Sequence, residues 1–344
     1  MKKFKILNEG KIPKKISFVV WDVEGTCSEK DIPNPEVIDW ICKLASKGVV
    51  SLFVTGRDQH WLKKYLISAI EKTSKKDFVK IAKNLFFRGE VGLIEINDAV
   101  SKKSKISPLV KNHPFLNPKT RERVANLFYK TPKLTSYKKG MKVPPGFEIG
   151  GDADRNLFLF PIIPPKEVIF PDFVWNEYKE VMGSAEVRRE VDYSISPERL
   201  RKILPMAKEI EKVFKKWGYL RFVKTSPTTT SINLPIKLAG DPIDKNWAVG
   251  RALIYFSQKL KVSIGEIATK TIAIGDALVD FLFSTPKIER ENISIPFIFV
   301  GPKSQYKPNP KQKKNVIINS ISPHLGTKVV LEVLDYLKDR FKGL

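Results

Sequence analysis

An apolar run, "SFVVW", stops abruptly at two acids set two residues apart, Asp22 and Glu24, with Gly25 and Thr26 behind them. Two later apolar stretches end in a similar way. "VVSLFV" gives way to Thr55, and "KTIAIG" to Asp276. A lysine, Lys245, stands near the start of "DPIDKNWAVGRALIYFSQKL", which reads as a helix. Open parallel sheets bind ligands beyond the carboxyl ends of their strands, so these side chains are expected to converge. Carboxylates brought to one place repel each other and are best tolerated around a divalent cation. Oxygen donors with few histidines suit Mg²⁺. A lysine and a hydroxyl facing the same place would grip an anion, phosphate being the obvious one.

The elements that must position these residues are legible in the pattern. "KKISFVVWD" is short and rich in β-branched and aromatic residues, as a buried strand is. "NPEVIDWICKLASKG" reads as a helix, with Asn34 as N-cap, Pro35 at its first position and Gly48 at its stop. "VVSLFVTG" is a second strand, and a long helical stretch is expected from about 58 to 84. "LFFRGEVGLIEI" reads as a strand or hairpin interrupted by Gly89 and Gly92. Strand, helix, strand, helix is the signature of a parallel α/β sheet. From about 100 to 225 the pattern changes to Pro-rich joints such as "FPIIPPKEVIFPDF", with an amphipathic helix near 197–217. The α/β pattern then returns with "KTIAIGD", "ISIPFIFVG", "NVIINS" and a closing helix in "GTKVVLEVLDYLKDRF". The expected fold is an α/β, Rossmann-like parallel-sheet core, residues 1–99 and 228–344, split by an inserted α+β unit over 100–227.

Composition bounds the rest. The chain has 344 residues, 42% of them hydrophobic, enough for a full core. No apolar run reaches the roughly 18–20 residues that span a bilayer, and the basic N-terminus lacks a signal peptide's apolar middle. Cys27 and Cys42 form no metal-ligand pattern. A soluble cytoplasmic protein without a membrane partner is expected. The net charge of +24 suits an anionic partner, or a solvated Lys-rich surface of the kind thermophile proteins carry. Much of the excess lies in residues 61–150, with about 20 Lys and Arg against about 7 acids. These are spread in ones and twos without interleaved aromatics, so nucleic acid is the less favoured partner.

Taken in order, "FVVWDVEGT", "LFVTGR", Lys245 in "DPIDKNWAVGRAL" and "GDALVD", with Asp276 and Asp280, resemble the four motifs of the haloacid dehalogenase superfamily. Its members are largely phosphatases and phosphotransferases. A long insert between the second and third motifs is similar to the large α+β cap of the sugar-phosphatase branch, the branch of mannosylphosphoglycerate phosphatase. "FFRGEVGLIEI" is similar to the segment that this branch carries before its cap.

The resemblance implies a Mg²⁺-dependent phosphomonoester hydrolase acting through an aspartyl-phosphate on a small phosphorylated metabolite, with a sugar phosphate as the analogy's suggestion. Asp22 is then the nucleophile, and Glu24 the general acid and base. Thr55, Gly56 and Lys245 hold the phosphoryl oxygens. Mg²⁺ is held by Asp22, the backbone carbonyl of Glu24 and Asp276, with Asp280 orienting its shell. Glu24 departs from the family's usual Asp by one methylene, a reach of roughly 1.5 Å that matters for positioned proton transfer. Two other readings stay open. One is a phosphomannomutase-like phosphotransferase, and the other a basic nucleic-acid-binding protein on a weakly active core.

Other features are weaker signals. Arg57, Arg188 and Arg189 are candidates for contacting a substrate anion, with a solvated surface the favoured reading of the last two. "GGDADRNLFLF" reads as a turn between strands, although Asp152, Asp154 and Arg155 resemble the metal loop of the α-phosphohexomutases. "TSPTTTSINLP" reads as a β-rich hinge. His60, His113 and His324 are scattered, with His60 near the second motif. The oligomeric state is open.

Overall fold

A computed structural model describes residues 6–152, 156–289, 291–319 and 324–341. The chain divides into two compact units, Met1–Ser107 with Asp244–Leu344, and Pro108–Ile243.

The first unit is built on a nine-stranded sheet. Its strands are β1 (Ile6–Leu7), β2 (Phe18–Trp21), β3 (Val50–Val54), β4 (Leu85–Gly89), β5 (Ile94–Ile96), β6 (Lys105–Ile106), β7 (Thr271–Gly275), β8 (Phe297–Phe299) and β9 (Val316–Asn319). Their order is β1-β9-β8-β7-β2-β3-β4-β5-β6. The six central strands, β9 to β4, run parallel, and the outer pairs are antiparallel. This is the Rossmann-like core expected from the strand–helix alternation.

Both faces of the central strands are covered, which is why they read as continuous apolar runs. On one face Trp21, Phe53 and Phe87 stack across three neighbouring strands, with ring centroids 6.4 and 4.9 Å apart. Helices α1 (Pro35–Ser46) and, later in the chain, α3 (Thr327–Leu337) join this cluster through Val37, Ile41, Val330 and Val333. On the other face Val20, Leu52 and Phe86 meet α2 (Lys245–Leu260) at Ala248, Ala252 and Phe256. α1 starts as its sequence dictates. The Asn34 side chain accepts from the backbone N–H groups of Glu36 and Val37, and Pro35 needs no donor there.

The helical stretch expected over 58–84 is not one helix. It comprises Gln59–Trp61, a π-turn at Leu62–Ile67, then Ser68–Ser74, a 3₁₀ turn Lys75–Asp77, and Phe78–Ala82. The break falls in the polar run "TSKKD". There the Ser74 hydroxyl bonds back to the Ile70 carbonyl at 2.7 Å, and Lys75 adopts a φ of 49°. Local side-chain-to-backbone bonding competes with helix continuation.

The second unit is α+β. A five-stranded sheet runs in the order Ser226–Pro227, Ser231–Leu234, Gly183–Val187, Phe173–Trp175, Tyr129–Lys130. The helix Pro197–Lys216 buries Ile203, Ala207, Ile210 and Phe214, and is capped by Ser196. A three-stranded sheet joins Thr135–Ser136, Leu157–Pro161 and Phe147–Gly151. "TSPTTTSINLP" is a hairpin within the five-stranded sheet rather than a link between units. In "GGDADR", Gly150 and Gly151 end one strand of the smaller sheet, with Asp152 directly after them. Asp152 there accepts from the Asn156 backbone and side chain, and Asp154 and Arg155 lie outside the described residues.

Candidate active site

Three adjacent strands, β7, β2 and β3, end immediately before Asp276, Asp22 and Thr55. The backbone N–H of Asp22 still donates to the Ile274 carbonyl at 2.9 Å, so the ladder holds this residue in register. The chain then turns tightly. The N–H groups of Cys27 and Ser28 both donate to the Val23 carbonyl, and the Cys27 thiol donates to the Asp22 carbonyl at 3.2 Å. Gly25 has a φ of 74°, and a Cβ there would fall 2.0 Å from Asp276 Oδ2. Only glycine fits this left-handed, crowded position.

Lys245 is the first residue of α2, and its N–H is capped by the Asp244 side chain at 2.7 Å. The helix approaches closely because Gly92, with a φ of 96°, lies where any Cβ would sit 2.5 Å from that of Ala248. Lys245 Nζ reaches Asp22 Oδ1 at 2.5 Å and Asp280 Oδ1 at 2.6 Å. The other oxygen of Asp280 accepts the backbone N–H groups of Asp276 and Ala277, at 3.1 and 2.9 Å. Asp280 therefore fixes both the lysine and the loop that bears Asp276.

Glu24 faces Thr55 and Arg57. The Thr55 hydroxyl donates to Glu24 Oε2 at 2.9 Å and accepts the Arg57 N–H at 3.0 Å. Thr55 is thus not the cap of the following helix. Asp58 fills that role, accepting from the Trp61 N–H. The Arg57 guanidinium pairs with Glu24 and also with Asp31. The segment Gly89–Gly92 clamps this loop, with Glu90 N–H on the Arg57 carbonyl and Val91 N–H on the Thr55 carbonyl. Glu90 and Val91 hold φ values of 47° and 55° to do so, a strained conformation for a β-branched residue.

Burial pushes the Asp22 carboxyl well above its usual range, and the Asp280 carboxylate pushes it further, against the pull of Lys245. Burial and Asp280 likewise raise Asp276, to about 7. Burial also works to raise Glu24, but Arg57, Lys245 and the Thr55 hydroxyl outweigh it and hold Glu24 below its ordinary value. The Lys245 ammonium is disfavoured by burial, yet Asp22, Asp280 and Glu24 raise its affinity for the proton well above normal. Burial, with Asp22 and Glu24 nearby, keeps Cys27 a thiol.

Oxygen atoms of Asp22, Asp276 and Asp280 lie within 4.8 Å of one another. A hard divalent cation accepts such a donor set, and its charge would relieve the crowding that raises Asp22 and Asp276. These residues fit Mg²⁺.

Of the sequence candidates, Asp22, Glu24, Thr55, Gly56, Arg57, Lys245, Asp276 and Asp280 all belong to the first unit, in the segments after the strand ends, in the 3₁₀ turn Leu278–Ser284 (Asp280) or at the head of α2. Arg188 and Arg189 belong to the second. Arg188 pairs with Glu148 at 2.6 Å and lies over the Phe160 ring, and Arg189 bonds through its backbone to Gly151. Asp31 was not legible as a site residue. Its only signal is the Lys30-Asp31 turn after the first motif, where both residues have positive φ.

No family model and no curated protein matches the chain. Solved structures do. The C-terminal domain of C. albicans trehalose-6-phosphate phosphatase aligns over 97% of this chain and 98% of its own, at 15% identity and a TM-score of 0.52. A haloacid dehalogenase-like hydrolase from Bacteroides thetaiotaomicron covers 93% of this chain and 100% of its own, at 13% identity and a TM-score of 0.47. The trehalose-6-phosphate phosphatase of Aspergillus fumigatus covers 98% and 99%, at 14% identity and 0.47. The fold is the one the C. albicans domain has, a Rossmann-like core with an additional α+β unit. No helix among the described residues is long and apolar enough to cross a membrane.

Proposed function

We propose that the protein is a Mg²⁺-dependent phosphomonoester hydrolase that works through an aspartyl-phosphate on Asp22. The observation that carries this reading is Lys245 Nζ held between Asp22 and Asp280, with Asp276 within reach of both carboxylates, at the ends of adjacent parallel strands.

In this reading an Asp22 carboxylate oxygen attacks phosphorus, and the bond from phosphorus to the ester oxygen breaks. The leaving oxygen takes a proton from Glu24. Water then gives its proton to the Glu24 carboxylate and attacks the aspartyl-phosphate, which frees Asp22 and inorganic phosphate. Lys245 and Thr55 bind the phosphoryl oxygens. Mg²⁺, held by Asp22, Asp276 and Asp280 with the Glu24 carbonyl, would supply charge neutralisation between anionic nucleophile and anionic substrate. Paired with Arg57, Glu24 is ionised and set for the water step. Its acid role requires that it leave Arg57 and gain a proton.

The unit Pro108–Ile243 is the proposed cap, which would select the substrate and limit water. The phosphatases of similar fold support a small phosphorylated metabolite, and a sugar phosphate is the favoured class. The test is phosphate release from a panel of phosphorylated metabolites with Mg²⁺. Turnover by the native protein is expected, with silence in Asp22→Asn and in EDTA. Turnover that survives in Asp22→Asn would overturn the reading.

A further inference from the structure

A buried cation stands apart from this chemistry. Arg88, on β4, is 2% exposed. A guanidinium carries five N–H donors, yet Arg88 makes one side-chain hydrogen bond, from Nη1 to the carbonyl of its neighbour Phe87 at 2.9 Å. Its Nε is buried without a partner, and so is the Nε of Arg251 on α2. Among the described residues no carboxylate lies within ion-pair distance of either arginine. Buried guanidinium groups are normally paired.

The surroundings are defined by register. Glu95, on β5, is the cross-strand partner of Arg88 and so shares its face of the sheet. Phe86, two residues before Arg88, shares that face too and lies 5.9 Å from the Tyr255 ring. Tyr255 and Arg251 are one helical turn apart on α2. Glu95 and Tyr255 lie near enough to favour the charge of the buried Arg88, and Arg251 near enough to oppose it; these three are half-buried. Two guanidiniums and a phenol hydroxyl against one carboxylate leave unspent positive charge and unspent donors. Planar guanidiniums match tetrahedral oxyanions with paired N–H bonds.

We propose that Arg88 and Arg251, with the Tyr255 hydroxyl, form a second anion-binding site, specific for a small oxyanion of the phosphate class and distinct from the Asp22 centre. Two links tie it to that centre. The Arg88 carbonyl accepts the Thr55 N–H at 3.0 Å, and Arg251 shares α2 with Lys245. Occupancy of the site stiffens the strand and the helix that hold Thr55 and Lys245.

The test is inorganic phosphate titrated into the full-length protein in EDTA, read by calorimetry and by the shift in melting temperature. Binding is expected in the native protein and in Thr55→Ala, and at least roughly tenfold weaker in Arg251→Gln. Arg88→Lys, which keeps the charge but loses the fork, is expected to weaken binding too, and it guards against the misfolding that a neutral substitution risks. Loss of binding in Thr55→Ala with retention in Arg251→Gln would assign the phosphate to the Asp22 centre and overturn the proposal. Equal binding in all variants, or none in the native protein, would also overturn it. Hydrolytic activity does not enter the readout, so this result stands or falls separately from the proposed reaction.

Discussion

Lys245 and Asp22, 223 residues apart in the chain, meet at 2.5 Å in the buried floor of the site. Their pairing joins the strand end to the helix head across the first unit. Removing the ammonium while leaving Asp22 and Asp280 buried strands two like charges. Lys245→Met is expected to destabilise the metal-free protein by about 3–5 kcal/mol at neutral pH, measured by urea unfolding. Added Mg²⁺ should restore part of that loss. A Lys245→Met protein as stable as the native one would refute the claim that the lysine holds these carboxylates.

Glu24 spans to both Thr55 and Arg57, a reach that an aspartate lacks by one methylene. Glu24→Asp is therefore expected to lower kcat by on the order of a hundredfold through misplacement of the carboxylate. KM should change little, since Thr55 and Lys245 still hold the phosphoryl group. Kinetics on the best substrate of the panel decide it. An unchanged or faster kcat would show that the pairing with Arg57 does not set the productive position of the carboxylate.

Gly25 lies against Asp276 with a φ of 74°. Gly25→Ala is expected to cost about 1–2 kcal/mol in backbone strain alone, and to push Asp276 away from Asp22. The affinity for Mg²⁺ should fall with it, measured by calorimetric titration of the metal. Stability loss without a change in Mg²⁺ affinity would separate the turn from the metal site.

His113 supplies a pH dependence in the second unit. Its Nδ1 accepts the Phe115 N–H at 3.2 Å, and its Nε2 faces the Lys237 carbonyl at 3.1 Å, which together specify the neutral ring with the proton on Nε2. Burial lowers the affinity of the ring for a second proton, against the pull of the Lys237 carbonyl. The folded value therefore lies below the unfolded 6.5, and between the two the unfolded chain binds more protons. The stability contributed by His113 is complete above pH 6.5 and is lost as pH falls through the folded value. Urea midpoints of the native protein and of His113→Asn, which keeps an acceptor for the Phe115 N–H but does not titrate, should diverge over that window. Parallel midpoints would contradict it.

How far the sequence reaches is clear from particular elements. The strand ending at Asp22, the cap of α1 at Asn34 and the head of α2 at Lys245 depend on a few neighbouring residues each: an apolar run, a capping side chain, a proline at the first turn. Such signals are complete within one stretch of chain, so they are legible without a fold. The 58–84 stretch was harder, because its apolar spacing remains helical across "TSKKD" while a serine side chain competes for the backbone there.

By itself the sequence determined the core's strand and helix alternation and the types of residue that end each strand. Only the tertiary structure decided which of them meet. The bridge of Lys245 between Asp22 and Asp280, the hold of Arg57 on both Glu24 and Asp31, and the burial of Arg88 opposite Glu95 are properties of strand order and register. Charge partners are chosen by distance in space. That distance is set by which strands the packed core places side by side, which no local pattern records.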